Sequence, residues 1–155
     1  MSSSVERYEA GVSWNGSLSD GYEAYSRTHD GTAGGATVGL TTGNKYGDPA
    51  LTNPEQLVVL AAASCQLLWF LHLAAKARID VVAYSDDAVA EMPMDVVPVA
   101  MSRIELRPRI VVRGDAGDER VRRLVELAHR ECYVANSLRC PLVVSAEVVR
   151  EQRQQ

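Results

Sequence analysis

Three cysteines, Cys65, Cys132 and Cys140, are the residues of this sequence best equipped for covalent chemistry. A thiolate is a strong nucleophile, and two thiols within reach of one another cycle between dithiol and disulfide. An odd count without framework spacing argues against a permanent disulfide scaffold and leaves reactive thiols or plain core packing. Cys65 lies between Ser64 and Gln66; Cys132 closes the run Ala128-His129-Arg130-Glu131-Cys132; Cys140 precedes Pro141. Composition alone reads Cys65 as a small buried hydrophobe and Cys140 as a packed or semi-exposed thiol. His29, His72 and His129 invite a metal reading, since His129 and Cys132 are three residues apart and Cys65 and His72 seven. No Cys-x-x-Cys or His-Glu-x-x-His pattern accompanies them, so core or edge histidines are the expectation.

The element carrying Cys65 has the strongest local signature. Asn53 is a helix N-cap, Pro54 occupies the first helical position and Glu55 the first turn, and the stretch runs helically to about residue 77. Cys65 is then about three turns in, too far for the helix dipole alone to activate it. Between Leu57 and Ala75 only Ser64, Gln66 and His72 are polar, so the helix is expected to be buried on nearly all sides. Nineteen mostly apolar residues approach the roughly 20 that cross a bilayer, but the stretch is Ala-rich and lacks basic flanks. Burial in a homodimer is the preferred expectation, because a short chain has little material to wrap such a helix. Residues 119–132 form a second amphipathic pattern, with Asp118 as expected cap and Cys132 at the C-terminal end, where the dipole disfavours a thiolate and suits a resolving thiol.

Around the helices the patterns predict strands. Residues 8–14 and 22–28 are rich in strand formers and suggest an N-terminal hairpin, and 30–53 suggests a long loop holding a short strand at 38–40. Residues 79–92 and 96–112 suggest two long strands, and 142–149 a last one, with residues 1–6 and 150–155 frayed. Met92, Met94 and Met101 in this region shape an apolar channel or fill the core. The fold class is α+β in a single domain over 1–155.

At 155 residues, 46% hydrophobic and 23% charged, the composition is that of a globular chain. A net charge of −4 with scattered Lys and Arg gives no footprint for nucleic acid or an anionic membrane. The first residues lack an apolar secretory segment, so a cytoplasmic location is expected.

Asn53-Pro54-Glu55-Gln56-Leu57, then Cys65 eight residues after that leucine, then Ala128-His129, Cys132 and Ala135-Asn136-Ser137, form two cysteine signatures about seventy residues apart. Together they resemble the OsmC/Ohr superfamily of osmotically inducible and organic hydroperoxide resistance proteins, over nearly the whole chain. The resemblance implies an OsmC-like fold with a long buried central helix carrying Cys65, a second helix ending at Cys132, and an intertwined homodimer. It implies a peroxidase in which Cys65 attacks an organic hydroperoxide and Cys132 resolves the sulfenic acid as a disulfide. An external dithiol, lipoyl or thioredoxin-like, would be the reductant, with no metal or cofactor. It further implies that Arg27 holds the thiolate and Glu55 orients that arginine; ordinary base rates would read them as a surface charge and a first-turn acid. Leu68, Trp69 and Val134 are expected to line an apolar substrate pocket, with His29 as a further contact. Tyr133 stands where many relatives carry proline, and Cys140 lies outside the pattern as a competitor of Cys132. The alternative on the same fold is a non-enzymatic redox sensor or small-molecule binder.

Overall fold

The computed structural model describes residues 3–151, and the chain divides into two compact units, Met1–Leu57 and Val58–Gln155. In the first unit, β1 (Ala10–Ser13), β2 (His29–Ala33) and β3 (Ala36–Leu40) form an antiparallel meander. The β2–β3 turn is Gly34-Gly35 with φ of 57° and 81°. A two-residue hairpin with both φ values positive is the geometry glycine adopts without strain, and it fits the twist of the flanking strands. The expected hairpin is therefore corrected. Its first strand is β1, but residues 22–28 hold turns, and the pairing strands come from the stretch expected to be mostly loop. Beyond β3, an isolated bridge pairs Leu40 with Thr52, and the Thr41 side chain accepts from the Asp48 N–H at 3.1 Å. Leu40 and Thr41 are the buried anchors here.

Helix α1 (Pro54–Lys76) begins as its sequence requires. The Gln56 N–H donates to Asn53 Oδ1 at 2.9 Å and the Asn53 N–H to Gln56 Oε1 at 3.1 Å, a reciprocal capping box with glutamine as the third-position partner. It ends where Arg78 turns left-handed at φ 56° and the Ile79 N–H reaches the Ala74 carbonyl, an αL-type stop made without glycine. The expectation of burial on nearly all sides is corrected for the single chain. Only Ala62, Gln66, Phe70 and Ala74 are buried, a stripe at i+4 spacing that faces one layer. Leu60 and Leu68 are more than 60% exposed, at 62% and 64%. The most apolar window of α1 has a mean hydropathy of 2.0 and is 22% buried.

The second unit holds two three-stranded sheets. The two long strands expected at 79–92 and 96–112 are each divided. They become β4 (Asp80–Asp86) and β5 (Val89–Glu91), then β6 (Arg103–Leu106) and β7 (Pro108–Arg113). β4 pairs β7 and β5 pairs β6, so the division falls opposite itself, at 87–88 and at Arg107. There the Arg107 N–H donates to Asp86 Oδ1 at 2.7 Å, satisfying a backbone donor the ladder has dropped. The final strand is likewise two, β8 (Leu142–Val144) and β9 (Glu147–Arg150). β8 joins β6 in parallel and β9 joins β7 in parallel. Arg150, expected as frayed tail, lies in β9, and the Glu151 N–H bonds the Val112 carbonyl at 2.9 Å; residues 1–2 and 152–155 fall outside the described residues.

Between β7 and β8 come α2 (Asp118–Glu131) and the short α3 (Tyr133–Ser137). Gly117, not Asp118, is the N-cap of α2, with no side-chain cap bond; Asp118 is instead a first-turn acid paired with Arg150. Two cores result. Phe70, Ala74 and Ile79 pack with Ile110, Val112, Val121, Val125 and Ala128 in one, and Ala62 packs with Ile104 and Leu106 in the other.

Candidate active site

Cys65 lies on the face of α1 beside its buried stripe, with Ala61, Leu68 and His72 at helical spacing above and below it. These residues, together with Ser64, Trp69, Tyr133 and Val134, line a cavity of about 470 Å³. Trp69 forms one wall, edge-on to His72 at 5.6 Å and to Tyr133 at 5.4 Å between centroids. Such T-shaped contacts set aromatic edges against π faces and hold the wall stiff. Cys65 itself is half-buried, and all three thiols are free. Of the expected pocket residues, Leu68, Trp69 and Val134 lie with Cys65. Ser64, His72 and Tyr133 complete the lining; for Ser64 and His72 the legible signal was their place one residue before Cys65 and two turns after it.

Cys132 is 1% exposed and belongs to two helices at once. It is the C-cap of α2 and the N-cap of α3, where its sulfur accepts the Ala135 N–H at 3.4 Å. Burial pushes its thiol up to about 11, the neighbouring Cys65 side chain adds to the rise, and the N–H groups of Ala135 and Val134 oppose it without cancelling it. The pair therefore sits together, with Cys65 open to the cavity and Cys132 sealed beneath and held protonated. Cys140 is half-buried against the Ala62, Ile104 and Leu106 cluster and is not among the cavity residues.

The raised ionisation of Cys132 has a measurable consequence for stability. Its folded-state pKa exceeds the ordinary value of 9.0, so the stabilisation is fully present below pH 9 and is lost as pH rises toward about 11. Urea unfolding of the reduced protein is expected to show stability falling in that window by up to about 1.4 kcal/mol per pH unit for a single group. The slope should be shallower in Cys132→Ala. Tyr84, also pushed up by burial and by Asp86 from its ordinary value of 10.0, adds its own loss from about pH 10 upward, and that part of the slope would remain in the variant.

Arg27, His29 and Glu55 are brought together within the first unit, where they line a cavity of about 460 Å³ that also touches Trp14, Tyr25 and Thr42. The Arg27 guanidinium donates to the carbonyls of Tyr25 and Tyr22 at 2.8 and 2.5 Å. It also stacks over the rings of Tyr25, Tyr46 and Tyr22 at 3.7, 4.3 and 5.2 Å. This cage explains why residues 22–28 depart from strand geometry: their tyrosines surround a cation instead of joining a ladder. The His29 ring bonds the Arg27 carbonyl at 2.9 Å. Glu55 Oε2 is buried without a hydrogen-bond partner, and among the described residues no ion pair joins it to Arg27. No group of three or more His, Cys, Asp or Glu suited to a metal ion occurs among the described residues.

Fold and site together define a two-thiol centre on an α+β scaffold in which one helix carries the open cysteine and the next one ends on the sealed partner. The family model for OsmC-like protein matches residues 47–147, and the chain belongs to that family. Among solved structures it is similar to an OsmC-like protein of unknown function from Vibrio cholerae, with 27% identity over 92% of this chain and 100% of that one, at a TM-score of 0.83. The fold is shared by an organic hydroperoxide resistance protein OsmC of Legionella pneumophila, at 18% identity, coverage of 95% and 99%, and TM-score 0.65. It is shared too by an organic hydroperoxide resistance protein of Bacillus subtilis, at 21% identity, coverage of 91% and 98%, and TM-score 0.59. Among curated proteins the sequence finds no match.

Proposed function

We propose that the protein is a thiol peroxidase that reduces organic hydroperoxides, alkyl or lipid, to alcohols. The observation that carries the reading is a half-buried cysteine opening on an apolar, aromatic-walled cavity with a sealed second thiol beside it. The Cys65 thiolate attacks the distal peroxide oxygen, an S–O bond forms as O–O breaks, and the departing alkoxide takes a proton to leave as alcohol. Cys132 then attacks the sulfenic sulfur; an S–S bond forms, S–O breaks, and the hydroxyl leaves as water with the Cys132 proton. An external dithiol, lipoyl or thioredoxin-like, returns the pair to its reduced state. The chemistry calls for no metal or organic cofactor. The cavity wall of Leu68, Trp69 and Val134 favours an organic substituent over bare hydrogen peroxide.

In the same reading Arg27 supplies the positive charge that Cys65 needs so far from its helix terminus, Glu55 orients the guanidinium, and His29 contacts substrate. The working form is a homodimer, supported by the leucines that α1 leaves exposed, and it works in the cytoplasm. The test is to mix reduced protein with one equivalent of an aryl hydroperoxide and follow free thiols and intact mass. Two of three thiols should disappear rapidly, with the loss of two hydrogens, and Cys132→Ser should stop at a trappable sulfenic acid. Three thiols surviving the treatment would overturn the proposal.

A further inference from the structure

The buried stripe of α1 contains one polar residue. Ala62, Phe70 and Ala74 share it with Gln66, which is 0% exposed. Its Nε2 donates to the carbonyl of Val125 on α2 at 3.0 Å, across 59 residues of sequence. Its Oε1 is buried with no partner. A half-satisfied amide in a core is a net cost, and methionine or leucine would fill a similar space without leaving an orphaned oxygen. Stability alone therefore does not account for the residue.

Its place does. Gln66 follows Cys65 directly, and Val125 stands two turns before Cys132 on α2. Within α2 the Val125 carbonyl faces the N–H of His129, and its second lone pair receives Gln66. Apolar contacts between helices tolerate sliding and rotation, since their energy varies slowly with position. A hydrogen bond weakens steeply once distance or angle departs from its narrow range. One such bond, a residue from one thiol and two turns from the other, fixes both the axial offset and the rotation of α1 against α2.

We propose that Gln66 is a positioning residue for the thiol pair, its amide clamping α1 to α2 in the register from which Cys65 and Cys132 can join. The step it serves is condensation of the Cys65 sulfenic acid with the Cys132 thiol, giving the disulfide and water. That assignment within turnover rests on the peroxidase reading; the clamp itself does not.

The experiment uses the full chain carrying Cys140→Ser, so that only two thiols remain, equilibrated in mixtures of reduced and oxidised dithiothreitol. In Gln66→Met the effective concentration of the two thiols should fall at least tenfold, raising the reduction potential by about 30 mV. Phe70→Leu, a core change on the same stripe, should lose stability without moving that equilibrium. Gln66→Glu separates the clamp from mere packing. As a neutral carboxylic acid it can donate to Val125, and as a carboxylate it cannot, so its equilibrium should approach the parent's at acidic pH and depart from it at alkaline pH. With one equivalent of aryl hydroperoxide, Gln66→Met should form the Cys65 sulfenic acid within twofold of the parent rate and close the disulfide at least tenfold more slowly. A dithiothreitol equilibrium for folded Gln66→Met within twofold of the parent, or an equal shift in Phe70→Leu, would overturn the proposal. If the equilibrium shifts as expected while peroxide oxidises no thiol in the parent, the clamp stands and the peroxidase reading falls.

Discussion

Replacing Cys65 by serine is expected to slow hydroperoxide consumption at least a thousandfold, on the order of 4 kcal/mol in the barrier, because a neutral hydroxyl replaces the one sulfur that lines the cavity among the described residues. The other two cysteines provide the contrast. Cys132→Ser leaves the attacking thiol and the cavity intact, so the first equivalent of peroxide should still be consumed while turnover stops at the sulfenic acid. Cys140 packs against the Ala62, Ile104 and Leu106 cluster, so Cys140→Ser should leave both steps within a few-fold of wild type. Rapid mixing with an alkyl hydroperoxide, followed by thiol titration and mass of the quenched protein, reads all three. A Cys65→Ser protein that consumes peroxide as fast as wild type refutes the assignment and favours a binding or structural role.

The second large effect concerns assembly. Leu60 and Leu71 on α1 are 62% and 38% exposed, and neither lines the Cys65 cavity. In the proposed homodimer a two-fold interface presents every substitution twice. Burying a leucine contributes about 1.5–3 kcal/mol, and a buried unpaired carboxylate costs more than the leucine gained. Leu60→Glu with Leu71→Glu should therefore weaken association by roughly 6 kcal/mol or more, above ten-thousandfold in Kd. Wild type should sediment at micromolar concentration with twice the 16.9 kDa chain mass, and the double variant with one. A wild-type monomer at that concentration removes the homodimer from the proposed function.

How much of this was legible depended on whether the deciding interaction was local. The start of α1 was, because Asn53, Pro54 and Glu55 mark it from consecutive residues, and the structure adds Gln56 as the cap's partner. The Gly34-Gly35 turn had a local signature too, but the Gly, Thr and Asp content around it masked β2 as loop and shortened β3 to the patch at 38–40. Division of the long strands was not legible: alternation in 79–92 and 96–112 reports which face is apolar, not where a strand changes partners. Gln66 carried no visible role, since a single polar residue on an apolar helix acquires one only when the carbonyl of Val125 arrives from another element. The closeness of Cys65 and Cys132 was beyond periodicity and spacing and entered through family resemblance. The tyrosines at 22 and 25 suggested strand propensity, and only the folded loop turns them, with Tyr46, into a cage around Arg27.

The parallel pairing of β8 and β9 also sets an order of events during synthesis. Each of the two sheets in the second unit takes an edge strand from residues 142–150, paired with strands made some 38 residues earlier. A ribosome that has released the chain only as far as α2 has exposed both hairpins with an open edge on each, and a hairpin lacking its third strand is marginal in water. Neither sheet can close until that segment emerges. Native packing of the thiol-bearing helices is therefore a late event, and nascent chains stalled before β8 should be protease-sensitive across the whole second unit.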